Sequence, residues 1–249
     1  MRQKFGETRS SIRDRHALIS PDSHERTIQA HWPGSQLIFV ITPQMGAEFT
    51  QYFAEMPDGA EGGPPLPAVE RFVFVLAGHA TLSISGKRHE LGEEGFALVP
   101  AGIDHTISAN GETRLVVYER VYLPLDGHDA PDLVFGNAGE VAAAPLMGDD
   151  MLMRQKLIPE RPEYDCEFNI MDFSPGASLP YVETHYMEHG LVMLNGGGVY
   201  RLDNCWYPVE GGDVIWMGPY CGQWFCAVGR SNARYLLYKN WNRDPLISS

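Results

Sequence analysis

The chain is short of cysteine and of positive charge, and it has no long apolar run. Its 249 residues carry 19 Lys and Arg against 32 Asp and Glu, giving a formal charge of -13 and a pI near 5.0. A surface of that sign repels phosphate, which argues against nucleic acid and anionic lipid as partners, because both require clustered cations. No window reaches the roughly 20 apolar residues of a membrane-spanning helix. The basic start (Arg2, Lys4, Arg9, Arg13, Arg15) is broken by Glu7 and Asp14 and lacks an apolar stretch, which argues against a secretory signal. Cys166, Cys205, Cys221 and Cys226 all fall in the C-terminal half, at spacings that fit neither a zinc knuckle nor a compact disulfide framework. They read as buried thiols of a reducing cytosol. The expectation left standing is a cytoplasmic protein that handles a small molecule.

Helix signals are equally scarce. Leu37–Ile41, Phe72–Leu76, Ala80–Ile84 and Leu115–Tyr118 are β-branched or aromatic runs separated by Gly, Pro and Asn. Phe168–Phe173, Gly190–Leu194, Val199–Leu202, Asp213–Met217 and Ala233–Tyr238 repeat the scheme. Phe74–Leu82 set against Val192–Tyr200 shows the same apolar run, glycine turn and apolar run. The predicted fold is all-β, two similar barrels or sandwiches in tandem, with the first domain over 1–130 and the second over 145–249. The join falls in 126–145, where hydrophobic alternation is lost.

One segment concentrates ligand chemistry. Glu183, His185 and His189 sit within seven residues, and Gln223 follows after the strand-like Val214–Met217. On a strand, Glu183 and His185 share a face. His189 shares their parity, but four extended residues span about 13 Å, too far for two imidazoles that must each lie about 2 Å from one ion. A bend at Tyr186–Glu188 has to return the chain, with Gln223 supplied from a third strand across the barrel. His185-Tyr-Met-Glu-His189 also matches the H-x-x-E-H pattern of inverted zinc peptidases. Pro180 before it and Gly190 after it leave no helix on which that motif could rest. The bland alternative is a polar surface that happens to carry a Glu and two His.

The spacing Gly176-x6-Glu183-x-His185-x3-His189-x6-Gly196 resembles the first cupin motif, G-x5-H-x-H-x3,4-E-x6-G, with the first His and the Glu exchanged. Gly212 and Gln223 fall where the second motif has its glycine and histidine. With Gly198-Val-Tyr-Arg-Leu-Asp-Asn204, Trp206-Tyr-Pro-Val209 and Tyr238-Lys-Asn-Trp-Asn-Arg-Asp244, the pattern is similar to the (S)-ureidoglycine aminohydrolase family of bicupins over nearly the whole chain. The resemblance implies a double-stranded β-helix (jelly-roll) in each half and a Mn2+ ion on Glu183, His185, His189 and Gln223. It also implies a homo-oligomer and a ureide substrate facing Tyr200 and Lys239, with ammonia released from (S)-ureidoglycine to leave (S)-ureidoglycolate. Glu183, Lys239 and Tyr200 are then the candidates for proton transfer and substrate contact.

The N-terminal half departs from the cupin pattern. Pro65-Leu-Pro67 stands where two histidines belong, Arg71 takes the metal-glutamate position, and His105 alone survives. One imidazole cannot hold a divalent ion, so the first barrel is expected to be structural and His105 a hydrogen-bonded core histidine. Two His and a carboxylate with open positions also describe non-haem iron dioxygenases. A ureide-binding bicupin without turnover is the third reading.

Overall fold

The computed structural model describes residues 7–247 and is built almost wholly of antiparallel strands. Arg2 and Lys4, and the extreme ends of the two expected domains, lie outside those residues. Among the described residues no helix is long and apolar enough to cross a membrane. All four cysteines are free.

Each barrel pairs a large sheet with a small one. In the first, a six-stranded sheet faces a four-stranded sheet; in the second, an eight-stranded sheet faces a three-stranded one. Every strand expected from the sequence is present, at Gln36–Ile41, Val69–Ala77, Ala80–Ile84, Thr113–Val121, Cys166–Phe173, His189–Asn195, Gly197–Leu202, Val214–Met217 and Ala233–Asn240.

Strand parity sorts the large side chains into three cores. In the eight-stranded sheet, Met171, Phe173, Leu191, Met193, Ile215 and Tyr235 fill the second barrel. Their neighbours Phe168, Ile170, Val192, Trp216 and Leu236 point the other way. There they meet Phe72, Phe74, Phe96 and Tyr118 from the outer face of the six-stranded sheet, while Val73, Val75, Leu115 and Val117 fill the first barrel. Sheets covered on both faces need apolar residues at both parities, which is why Phe72-Val-Phe-Val75 reads as a continuous run. Phe72 and Phe168 stack across the junction with centroids 3.6 Å apart.

The two halves also exchange chain. The strand His16–Ile19 pairs with Val214–Met217 and so belongs to the second barrel's sheet. The strand Val134–Asn137, inside the expected join, pairs with Gly95–Val99 of the first barrel. A linear division at 126–145 anticipates neither the N-terminal crossing nor this late strand of the first barrel, because a short strand goes wherever an open sheet edge has unpaired N–H and C=O groups.

Candidate metal centre

The second barrel opens into a cavity of about 420 Å³ whose lining includes all six residues singled out from the sequence: Glu183, His185, His189, Tyr200, Gln223 and Lys239. His189 begins the strand His189–Asn195, and Gln223 begins Gln223–Ala227 in the facing sheet. Gly190 fixes the first of these. Its α-carbon lies so close to Phe49 of the other barrel that an added Cβ would meet the ring at 2.5 Å.

The chain does bend at Tyr186 and bring the imidazoles together, with His185 Nε2 and His189 Nε2 3.2 Å apart. The placement of Gln223 differs in part from expectation. It lies across the barrel from His189, but it neighbours Glu183 through a two-way backbone bridge, Glu183 N to Gln223 O at 2.8 Å and Gln223 N to Glu183 O at 2.9 Å. The Gln223 amide donates to His185 Nε2 at 2.9 Å.

These positions fit a divalent ion. His185 Nδ1–H donates to Met187 O at 3.2 Å, which fixes the tautomer and leaves the Nε2 lone pair facing the cavity. Burial lowers the pKa of both histidines, His189 well below the usual value, with His185 and Lys239 adding to the effect at His189. Both rings are therefore neutral, as ligation requires. Two donors about 2.1 Å from one ion at right angles stand roughly 3 Å apart, close to the separation seen. Turning the Gln223 amide over puts its oxygen in place of the nitrogen.

Glu183 stands apart from the pair. Among the described residues, the groups of three His, Cys, Asp or Glu ligand atoms within 4.8 Å of one another lie elsewhere in the fold, so its carboxylate does not close on both imidazoles. Burial raises its pKa, with Lys239 opposing.

Lys239 and His189 are register partners on adjacent strands, as are Lys239 and Glu167, so the three side chains form one row across the sheet. Lys239 Nζ pairs with Glu167 Oε2 at 2.7 Å and lies 4.4 Å from the centre of the Trp241 ring. Tyr200 is fully buried with its ring centre 6.4 Å from that of Tyr235, and burial raises both pKa values. Glu167, Tyr235 and the lining residues Asn169 and Arg154 escaped the sequence reading. Polar Glu167 and Asn169 at the parity of Met171 and Phe173 were the available signal.

Glu188 plays no part in the cavity. Its carboxylate accepts from Glu48 N at 3.1 Å and Trp216 Nε1 at 3.3 Å, and burial raises its pKa to about 7. The general base of an inverted zinc peptidase is thus turned into the junction between the barrels, and the segment is not helical.

In the first barrel the corresponding place holds a resident cation. Arg71, wholly buried, bonds Glu119 Oε1 through Nε at 2.8 Å and Nη2 at 2.5 Å, and Gly63 O through Nη1 at 2.6 Å. His105 is a core histidine, its Nε2 3.1 Å from Arg71 Nη1 and its Nδ1 donating to Ile103 O at 2.9 Å.

Two stacked antiparallel barrels, one of them with a His-rich cavity, define a bicupin. Residues 52–121 match the cupin domain, and these lie in the first barrel. Beyond the fold, the chain is 43% identical over 243 residues to the probable (S)-ureidoglycine aminohydrolase of Oryza sativa, covering 97% of this chain and 78% of that protein. It is 36% identical over 236 residues to the (S)-ureidoglycine aminohydrolase of Escherichia coli, covering 93% and 90%. The crystal structure of E. coli Ylba superposes with a TM-score of 0.86 at 32% identity, covering 98% of each chain. The chain belongs to the (S)-ureidoglycine aminohydrolase family.

Proposed function

We propose that the protein is an (S)-ureidoglycine aminohydrolase, releasing ammonia from (S)-ureidoglycine to leave (S)-ureidoglycolate. In this reading His185, His189 and Gln223 would hold one Mn2+ in the second barrel, the Glu183 carboxylate swinging in to join them when the ion binds, and the first barrel is structural. The observation that carries it is the meeting of two neutral imidazoles and a carboxamide in one cavity, in a chain 43% identical to a probable enzyme of that name. Two nitrogen and two oxygen donors suit manganese(II) or iron(II) better than thiophilic ions. Such an ion supplies positive charge and Lewis acidity at its open positions, anchoring a carboxylate-bearing substrate.

The chain's own residues divide the proton work. Replacing an amine by water breaks one C–N bond and forms one C–O bond, so a proton must reach the leaving nitrogen and another must leave the water. Lys239, aimed by Glu167, delivers the first. Glu183, with its affinity for protons raised by burial, accepts the second and offers its other oxygen as ligand. Tyr200, which lines the cavity, donates its O–H to the ureido carbonyl.

A homo-oligomer in the cytoplasm completes the reading, and four free thiols agree with a reducing compartment. The test is to purify the protein, measure its bound metal and follow ammonia release from fresh (S)-ureidoglycine with and without chelator. The expected result is loss of activity on chelation and its return with Mn2+. Undiminished turnover by metal-free protein overturns the mechanism, and oxygen uptake without ammonia decides for a dioxygenase.

A further inference from the structure

A second convergence of ligand atoms lies outside that cavity, where the N-terminal strand crosses to the second barrel. His16, Asp203 and Cys221 come from three separate segments, yet one ligand atom of each lies within 4.8 Å of the others. We propose that His16 Nδ1, Asp203 Oδ2 and Cys221 Sγ form a binding site for a thiophilic divalent cation of the zinc class, which clasps the N-terminal strand to the catalytic barrel.

Two of the three donors are set up for the role, and the third, Cys221 Sγ, is buried with the Gly222 carbonyl at 3.8 Å to accept its proton. His16 is 2% exposed, and its Nδ1 is buried with no hydrogen-bond partner, an unusual state for a polar atom. The other ring nitrogen, Nε2, is 3.0 Å from the Tyr207 hydroxyl. An outer partner of that kind on the far nitrogen is what orients metal-bound histidines. Asp203 is held by its first oxygen only, since Oδ1 accepts from Arg15 Nη2 at 2.8 Å and Gly222 N at 3.2 Å. Its Oδ2 stands 3.5 Å from His16 Nδ1. Two donors about 2.1 Å from a tetrahedral centre are roughly 3.4 Å apart, so this pair needs almost no movement.

Charge and chemistry agree with the geometry. A thiolate, a carboxylate and a neutral imidazole neutralise a dication, with the fourth position left for solvent. The thiol proton goes to solvent as the metal–sulfur bond forms. Sulfur in the set selects against the hard ion expected in the cavity, where no thiol is present. A similar group, Glu70, Asp165 and Cys166, is already neutralised by Arg120, whose Nη1 is 3.1 Å from Asp165 Oδ1. The His16 group has no cation on its inner atoms; Arg15 sits on the outer oxygen.

The consequence concerns the N-terminal crossing. The strand Ser11–Ile12 has only two residues and pairs with His16–Ile19, which is itself held to the barrel by Val214–Met217. An ion at His16 ties that edge to the turn bearing Asp203 and to Cys221, two residues before Gln223.

Cobalt(II) tests this directly, because cobalt bound by a thiolate gives a strong near-ultraviolet charge-transfer band and no thiol lines the cavity. Full-length reduced protein, stripped with chelator and titrated with cobalt, is expected to develop that band, to lose it on addition of zinc, and to lack it in Cys221→Ser. The wild type is expected to retain about one more equivalent of zinc per chain than that variant, and zinc is expected to raise its Tm by more than it raises the variant's. His16→Gln repeats the test without touching the thiol, with circular dichroism confirming that both variants fold. Absence of the band in the wild type, or its persistence in both variants, overturns the proposal.

Discussion

Replacing Lys239 by Met separates two roles that one side chain combines. The Lys239 ammonium is largely buried and its partner Glu167 almost wholly so, with 2.7 Å between them. Removing the cation strands a buried carboxylate, which costs about 3–5 kcal/mol in comparable pairs. Asn169 Nδ2, donating to Glu167 Oε1 at 2.9 Å, keeps the figure near the lower end, about 3 kcal/mol. For a chain of this size that lowers Tm by roughly 6–12 °C. Ammonia release should fall by about 10²–10⁴, the usual contribution of a positioned acid. Adding Glu167→Gln removes the stranded charge, so the double variant should recover most of the stability and none of the rate. Thermal unfolding and initial ammonia release, measured on the wild type, both singles and the double, form the cycle. A Lys239→Met protein with wild-type turnover removes Lys239 from the chemistry. Recovery of rate in the double variant shows that the loss was structural.

Arg71→Met should destabilise the first barrel by about 3 kcal/mol, because Glu119 loses its partner, while bound metal and ammonia release stay unchanged; loss of metal would place a ligand site where we see a guanidinium. Glu188→Gln should flatten the pH dependence of stability. A carboxyl raised from 4.5 to about 7 by folding stabilises fully below pH 4.5, and that contribution, up to about 3 kcal/mol, is lost as pH rises through 7. Denaturant midpoints at pH 5 and pH 8 should differ less in the variant than in the wild type, and an unaltered difference refutes the assignment. Phe168→Ala should cost about 3–5 kcal/mol by opening a cavity against Phe72. Calorimetry should show one transition shifted whole; two transitions, only one of them moved, would mean that the barrels unfold separately.

The strands that sequence patterning located are those whose residues are apolar at both parities or strictly alternating. Lys87–Leu91, with Lys, Arg, His and Glu in a row, and Cys205–Glu210, with Pro208 inside it, carry no such pattern. They are strands because neighbours in the barrel supply their hydrogen bonds. Likewise the candidate metal residues were legible because Glu183, His185 and His189 are close in sequence and polar where the surroundings are not. Glu167 and Asn169 were hidden because their function depends on register, which places Glu167 beside Lys239 and Lys239 beside His189. Arg71 was visible as a departure from the cupin pattern, but its carboxylate partner Glu119 is 48 residues away in the chain.

The order of residues alone determines the all-β class, the duplication, the acidic surface and the donor types at the candidate centre, since these depend on composition and short-range spacing. Tertiary structure alone decides which strand lies beside which, and with it the reach of each side chain. It turns Glu188 into the interbarrel junction and holds the Glu183 carboxylate back from the imidazole pair. It also sends His16 across to Asp203 and Cys221, more than 180 residues away. Those outcomes follow from sheet closure and two-sided burial, which act between segments whose separation along the chain carries no information about their distance in space.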